Sequence, residues 1–129
     1  MITCLHKYYR AEDIPSSDVL DRNYFAVSSG IKEADLNNLD EIVKNVDPKF
    51  ICLDVANGYM QKFIGVCAKV RELYPDKIII AGNVCTGEGV LDLVLNGKVD
   101  IVKCGIGPGS QCLTRKQTGV GMPQLSCIM

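Results

Sequence analysis

The 129-residue sequence lacks the features that mark membrane-spanning, secreted or nucleic-acid-binding proteins. No apolar stretch approaches the roughly 20 residues needed to cross a bilayer. The chain has 14 basic and 15 acidic residues and no basic run, so it offers no electrostatic footprint for nucleic acid. Its first charged residues follow apolar ones, the reverse of a signal peptide. We therefore expect a cytoplasmic globular protein that has neither a membrane nor nucleic acid as a partner.

Disulfide and zinc frameworks are missing too, although the chain has seven cysteines. The number is odd, and no two cysteines have the Cys-x-x-Cys spacing of a zinc site. Five of them fall in apolar runs or predicted helices, where a reduced thiol serves as a small buried hydrophobe: Cys4, Cys52, Cys67, Cys104 and Cys127. This usage indicates a reduced, cytosolic protein.

Five short apolar runs begin 22 to 27 residues apart: Ile2–His6, Tyr24–Ser28, Phe50–Asp54, Lys77–Ala81 and Asp100–Cys104. Each run is continuously apolar, which is typical of parallel strands covered on both faces. Apolar residues at helical spacing predict the intervening helices, over Asp35–Val46, Tyr59–Tyr74 and Thr86–Leu95. A last helix is expected to begin at Pro123, and Ala11–Arg22, broken by Pro15-Ser16-Ser17, is expected to be a shortened helix or a loop.

This α/β pattern fits two architectures, an open doubly wound sheet or part of an eight-stranded barrel. Polar residues follow every predicted strand: Lys7, Ser28–Gly30, Asp54, Gly82–Asn83 and the segment from Gly105. A ring of polar strand ends is typical of a barrel active site, whereas an open sheet gathers its ligand at one switch point. The ring favours the barrel, but a complete barrel takes about 250 residues, so the open sheet also remains possible.

The segment 105–121 is predicted to be a long functional loop, because it holds five glycines and no apolar periodicity. Cys112 lies in it, and Arg115 and Lys116 are positioned to stabilise its thiolate as a nucleophile. The glycines after residue 104 suit an anion cradle, a carbonyl shell for a monovalent cation, or a plain tight turn. Asp54 is suited to bind an amide or a ribose, or to cap the following helix. The single histidine, His6, is more simply explained as a packed residue than as a base.

Five segments together resemble one family closely, GMP reductase, the sister of IMP dehydrogenase. They are His6–Tyr9, Ser28–Gly30, Ile51–Tyr59, Ala81–Glu88 and, above all, Lys103–Ser126. The resemblance extends from Ile2 to Met129 and implies one domain, residues 1–129, that forms a partial (β/α)8 barrel of about five parallel strands. The DVANGY and RKQTGVGMPQLS stretches favour the reductase over the dehydrogenase.

The resemblance implies NADPH-dependent reductive deamination of GMP to IMP and ammonia, with Cys112 as the nucleophile that forms a covalent thioimidate. Thr114 would take part in proton transfer, and Lys7 would act at the cofactor side. The nicotinamide cofactor would be bound by Lys7, Asp54, Val55, Ala56, Ile106 and Gly107. Ser110 would contact the nucleotide phosphate, and K+ would be held by carbonyls of Gly107, Gly109 and Cys112, with Arg115. The family usually assembles as a homotetramer.

The chain also departs from the family pattern. Leu113 replaces the first threonine of Cys-Thr-Thr. We expect the first strand, the last two strands, the phosphate-binding glycines and a downstream glutamate to be missing, so that the chain is a fragment, inactive by itself. Three alternatives remain: an IMP dehydrogenase-type enzyme, a non-catalytic isoform that associates with full-length subunits, and an independent open-sheet nucleotide-binding module.

Overall fold

The computed structural model describes residues 2–15 and 19–129, and part of the predicted break at Pro15-Ser16-Ser17 lies outside them. The strands are β1 (Thr3–Leu5), β2 (Phe25–Ser29), β3 (Phe50–Asp54), β4 (Ile78–Val84) and β5 (Ile101–Cys104). The helices are α1 (Glu33–Val46), α2 (Gln61–Leu73), α3 (Gly87–Leu95), α4 (Thr114–Thr118) and α5 (Gln124–Ile128). A 3-10 turn, Ala11–Asp13, lies in the described part of the stretch for which a shortened helix or a loop was predicted.

The five strands form one parallel sheet in which spatial order follows chain order, β1-β2-β3-β4-β5. Each neighbouring pair is parallel, so every connection returns the chain to the same end of the sheet. A doubly wound sheet reverses its strand order at a switch point, and this sheet does not. The strand order therefore removes the open-sheet module and leaves the barrel architecture.

Local sequence signals set the helix boundaries. Helix α1 ends at Val46, and Asp47 after it adopts a left-handed conformation directly before Pro48. Thr86, the first residue of the predicted helix, caps α3 by accepting a hydrogen bond from the Gly89 amide at 3.3 Å. Helix α2 ends two residues before Pro75, which cannot continue it. Among the described residues, no helix is long and apolar enough to cross a membrane.

The two faces of the sheet are covered differently. On one face, side chains such as Val27, Ile51 and Ile79 pack against the helices and form the main core with Leu39, Phe63 and Leu93. On the other face, only Ala26, Phe50 and Cys52 are buried, with Ile78 and Ile80 partly buried beside them. The second face is the concave inner surface of a barrel wall, which further strands would complete.

Four details differ from the predictions. His6, which was predicted to be a packed residue, is exposed. Cys4 and Cys104 are exposed, not buried, because they lie on the edge strands β1 and β5, and Cys127 on the short helix α5 is only partly buried. Strand β4 continues to Val84, so that Gly82–Asn83 lie inside it rather than after it. The loop contains the short helix α4, whose end at the left-handed Gly119 is a recognisable stop signal.

Candidate active site

One cavity, at the carboxyl end of the sheet, brings together four of the residues predicted to bind the cofactor. It has a volume of about 280 Å3, and its lining consists of His6, Lys7, Ser28, Asp54, Val55 and Ala56. These residues come from the ends of β1, β2 and β3, which parallel pairing places at the same edge. A carboxylate and an ammonium group in one cavity can bind hydroxyl, amide and phosphate groups of a ligand.

Backbone hydrogen bonds hold the segment after β3 in place. The Val55 amide donates to the Gly82 carbonyl at 3.0 Å, and the Asn83 amide donates back to the Val55 carbonyl at 3.0 Å. The Gly58 amide donates to the Asn83 carbonyl at 2.9 Å. Residues 55–58 are thus attached to β4, and the cavity wall is preorganised rather than a free loop.

Lys7 lies in the turn after β1, where its side chain is about one-third exposed. Its Nζ is 3.9 Å from Asp35 Oδ1 and 5.2 Å from the centre of the Tyr8 ring. At 3.9 Å the ion pair with Asp35 is loose, so the ammonium group remains available to an anionic ligand in the cavity.

Asp54 forms an ion pair that the sequence analysis missed. Its Oδ2 is 2.8 Å from Lys103 Nζ, which belongs to β5, two strands away. Partial burial acts to lower the pKa of Lys103, but the hydrogen bond to Asp54 and the nearby Cys52 and Cys4 thiols hold it above its usual value. The sequence did contain a signal for such a pair, namely a lysine inside an otherwise apolar strand. Its partner could be identified only from the register of the strands.

The loop after β5 is anchored at both ends. At its start, the Gly105 amide donates to the Val84 carbonyl at 2.8 Å, and Asn83 Nδ2 donates to the Gly105 carbonyl at 2.8 Å. Further along, the Met122 amide donates to the Ile106 carbonyl at 3.0 Å, which closes the loop on itself. Gln124 Nε2 adds a bond to the Cys104 carbonyl at 3.1 Å.

Cys112 lies within this loop, partly exposed, two residues before the start of α4. Its Sγ donates to Thr114 Oγ1 at 3.2 Å, and its amide donates to the Gly109 carbonyl at 3.1 Å. Hydrogen bonding to Thr114 is the main cause that lowers the Cys112 pKa, and the Arg115 charge lowers it further. The loop therefore presents a thiol biased toward the thiolate, beside a hydroxyl that is able to carry a proton.

The predicted cation-binding residues lie around the same turn. Gly107 has a left-handed φ of 57°, and a Cβ there would approach Thr114 Cβ and Arg115 Cγ at 3.3 Å each. A glycine thus lets the backbone lie against the start of α4, as a carbonyl shell requires. The Gly109 and Arg115 carbonyls each accept one backbone hydrogen bond and keep a second lone pair. These oxygens are hard donors and fit a monovalent cation.

The remaining predicted residues are more loosely related to the cavity. Ser110 is exposed at the loop tip, where a phosphate can reach it. The Ile106 side chain is 5% exposed, so only its backbone is available to a cofactor. Ile106 and Gly107 belong to the loop and not to the lining of the 280 Å3 cavity. Within residues 2–15 and 19–129, His, Cys, Asp and Glu side chains form no cluster of three suited to a metal ion.

Comparison with known proteins adds family evidence to this geometry. Residues 10–129 match the family model described as the IMP dehydrogenase / GMP reductase domain. The chain is 51% identical to a GMP reductase of Phytophthora infestans and 45% identical to GMP reductase 2 of Bos taurus, which are matched over 99% and 100% of this chain. It covers 36% and 38% of those two proteins, so it spans little more than a third of their length.

A solved structure supports the same conclusion for the fold. The crystal structure of GMP reductase from Trypanosoma brucei in complex with guanosine 5'-triphosphate matches with a TM-score of 0.75 at 30% identity. The match covers 81% of this chain and 24% of that one. With the parallel sheet in chain order, this likeness identifies the fold as part of a (β/α)8 barrel.

Proposed function

The chain belongs to the IMP dehydrogenase / GMP reductase family, and we propose that it contributes the nucleophile and part of the cofactor site to a GMP reductase. The overall reaction is the NADPH-dependent reductive deamination of GMP to IMP and ammonia. The observation that carries this proposal is the anchored loop, in which Cys112 donates to Thr114 beside Arg115. A thiol prepared for ionisation on a preorganised loop is the group that addition to an electron-poor ring carbon needs.

In the proposed reaction the Cys112 thiolate adds to C2 of the guanine ring. The bond from C2 to the exocyclic nitrogen then breaks, and ammonia leaves with an added proton, so that a thioimidate joins sulfur to C2. Bound NADPH would supply the hydride that C2 receives. Cleavage of the carbon–sulfur bond returns the electron pair to Cys112 and releases IMP.

Thr114 is the proposed proton carrier, because its Oγ1 is 3.2 Å from the thiol and accepts from it. Lys7 and Asp54, with Val55 and Ala56, are proposed to hold the nicotinamide end of NADPH in the 280 Å3 cavity. The backbone of Ile106 and Gly107 would complete that site from the loop side. Ser110 would bind the nucleotide phosphate.

Two further assignments accompany this proposal. Potassium would be held by the carbonyls of Gly107, Gly109, Cys112 and Arg115, where it would fix the loop around the nucleophile. We also propose a cytoplasmic protein that assembles as a homotetramer when the barrel is complete. The seven cysteines, all among the described residues, are free thiols, in keeping with a reducing compartment.

The test is a graft, because the relatives are much longer than this chain. Residues 2–129 replace the aligned segment of the P. infestans protein, and NADPH oxidation is followed with GMP as substrate. We expect turnover in the graft and a loss of at least about a thousandfold in Cys112→Ser, since removal of a nucleophile has effects of this order or larger. Cys127→Ser is the matched control, and it should keep its activity.

The same graft separates the reductase from the dehydrogenase. Turnover of IMP with NAD, and none of GMP with NADPH, would replace the proposal by an IMP dehydrogenase. Trapping the adduct by acid quench and mass spectrometry should place the purine on the peptide that contains Cys112. A purine on any other cysteine would contradict the assignment of the nucleophile.

A second candidate is a non-catalytic chain that associates with full-length subunits. The observation that favours it is the concave face, where Ile101 is 43% exposed and the edges of β1 and β5 each pair on one side only, as far as the chain is described. Co-purification of the tagged chain with a full-length GMP reductase is the expected result. A monomeric 14.1 kDa species that fails to co-purify would exclude this role.

A further inference from the structure

Three residues of neighbouring strands lie at one level of the sheet. Asp54 of β3 pairs with Gly82 of β4, and Gly82 pairs with Lys103 of β5. Residues paired in this way point to the same face of the sheet. The Asp54 carboxylate and the Lys103 ammonium group therefore lie on either side of Gly82, which has no side chain. The Nζ to Oδ2 distance of 2.8 Å shows that the lysine side chain crosses the intervening strand to reach its partner.

The glycine is what leaves room for this crossing. A Cβ on Gly82 would lie 2.7 Å from Lys103 Cβ and 2.5 Å from the Lys103 carbonyl, closer than van der Waals contact allows. Neighbouring strands are about 4.8 Å apart, so Asp54 and Lys103 are separated by roughly twice that distance at the backbone. Only the long lysine side chain, passing over a residue without a side chain, bridges the gap.

We infer that Lys103 is a positioning residue that fixes the Asp54 carboxylate at the mouth of the cofactor cavity. This inference rests on the proposed function. Asp54 lines the cavity together with Lys7, whereas Lys103 comes two residues before Gly105, where the nucleophile loop begins. The ion pair therefore links the end of β3, which lines the cavity, to the end of β5, where the loop with Cys112 begins. The Asp54 side chain is 48% exposed, and the ion pair with Lys103 keeps its carboxylate from turning toward solvent. The other titratable groups near Lys103 are the thiols of Cys4 and Cys52.

The first measurement concerns the pair itself, in the 129-residue chain. The Lys103 side chain is titrated by NMR in the wild type and in Asp54→Asn. With Asp54 in place the Lys103 pKa should lie above its usual value, and in the variant it should fall, because burial is then opposed by fewer partners. An unchanged titration would overturn the inference, whatever the activity of the graft.

The second measurement uses the grafted barrel and separates cofactor binding from chemistry. Lys103→Met should raise the KM for NADPH about tenfold, the loss expected when one charge-assisted hydrogen bond is removed. The KM for GMP and the kcat should change less than twofold, since the lysine does not touch Cys112. Lys103→Arg retains charge and reach and should recover most of the loss, which a purely structural role would not require.

The control is Lys44→Met, which removes an ion pair with Asp40 on the exposed face of α1, away from the cavity, and should leave all three constants unchanged. If the graft turns over, equal changes in the KM for NADPH and for GMP in Lys103→Met, or no change in either, would overturn the proposed role of Lys103. A graft with no turnover at all would instead count against the proposed function, and the Lys103 titration would still decide the inference.

Discussion

Charged side chains have different environments at the two ends of the parallel sheet. At the amino end, Arg71 donates to the carbonyls of Lys98 at 3.0 Å and Lys77 at 2.8 Å and forms an ion pair with Asp100. Asp100 in turn accepts the Ile79 amide at 2.7 Å. At the carboxyl end, Lys7 has only a loose ion pair, and Cys112 is partly exposed in a loop.

This difference follows from what each end must do. The charges at the amino end complete the hydrogen bonding of backbone groups that the helices and strands leave unpaired, so their contribution is to stability. Lys77 belongs to the same end, where its 5% exposed side chain pairs with Asp47 and Asp76. The carboxyl end has one close ion pair, Asp54 with Lys103, but leaves Lys7 and the Cys112 loop available to a ligand. Substitutions at the amino end should therefore lower the free energy of unfolding, and those at the carboxyl end should change the rate of the reaction or the reactivity of the thiol.

The largest effect on stability is expected from Arg71→Met. The guanidinium is mostly buried and serves three backbone carbonyls and one carboxylate, so its loss leaves several polar groups unsatisfied. The free energy of unfolding should fall by about 3 kcal/mol, measured by urea denaturation of the chain. Arg22→Met, which breaks an exposed ion pair with Asp47 at the same end, should cost less than about 1 kcal/mol. Equal losses of unfolding free energy in Arg71→Met and Arg22→Met would contradict the structural role assigned to Arg71.

Gly121→Ala should be the strongest substitution at the carboxyl end that touches no reacting group. Gly121 has a φ of 148°, and a Cβ there would clash with the Arg115 side chain and lie 2.8 Å from the Ile106 carbonyl. We expect the graft to lose about tenfold in kcat, roughly 1.4 kcal/mol in the barrier, with little change in unfolding. Gly87→Ala, at the start of α3 and outside the loop, is the control, since its Cβ would meet nothing within 4 Å. A similar loss of kcat in both variants would show that the clash at Gly121 is not its cause.

Thr114→Val should produce the smallest effect and the most specific one. Because the Thr114 hydroxyl lowers the Cys112 pKa, removing it should raise that pKa and shift the pH dependence of alkylation to higher pH. At pH 7 the rate of Cys112 alkylation by iodoacetamide, followed by mass spectrometry, should fall by a factor of about three. Thr118→Val, whose hydroxyl binds the Thr114 carbonyl at 2.7 Å, is the matched variant. An unchanged alkylation profile in Thr114→Val would remove the hydroxyl from the activation of the thiol.

Apolar periodicity predicted most of the fold, because strand and helix repeats depend on neighbours in sequence. The β3 boundaries, Phe50–Asp54, were predicted as they occur, and the predicted helix Thr86–Leu95 differs from α3 by one residue. The exposure of Cys4 and Cys104 was predicted wrongly, because burial depends on which strands stand beside them. The pair of Asp54 with Lys103 was missed for a related reason, since it depends on register across three strands.

The site was predictable where a single stretch carries it and less so where separate stretches meet. Cys112 and Thr114, to which the family resemblance assigns roles in the same reaction, lie two residues apart and are in contact. The attachment of the loop through Asn83 and Gln124 was not foreseen, because both side chains reach main-chain carbonyls far along the chain. The roles of the site residues themselves stay predictions until the graft is measured.

The hydrogen bond between the Met122 amide and the Ile106 carbonyl has a thermodynamic consequence for the loop between them. It closes a ring of chain, and the entropy of closing such a ring rises only with the logarithm of its length. Lengthening the tip beside Gly109, where there is open space, therefore costs only about 0.6 kcal/mol for each doubling of the ring. The base of the ring sets the position of the thiol, whereas the length of its tip has little effect on the free energy of unfolding.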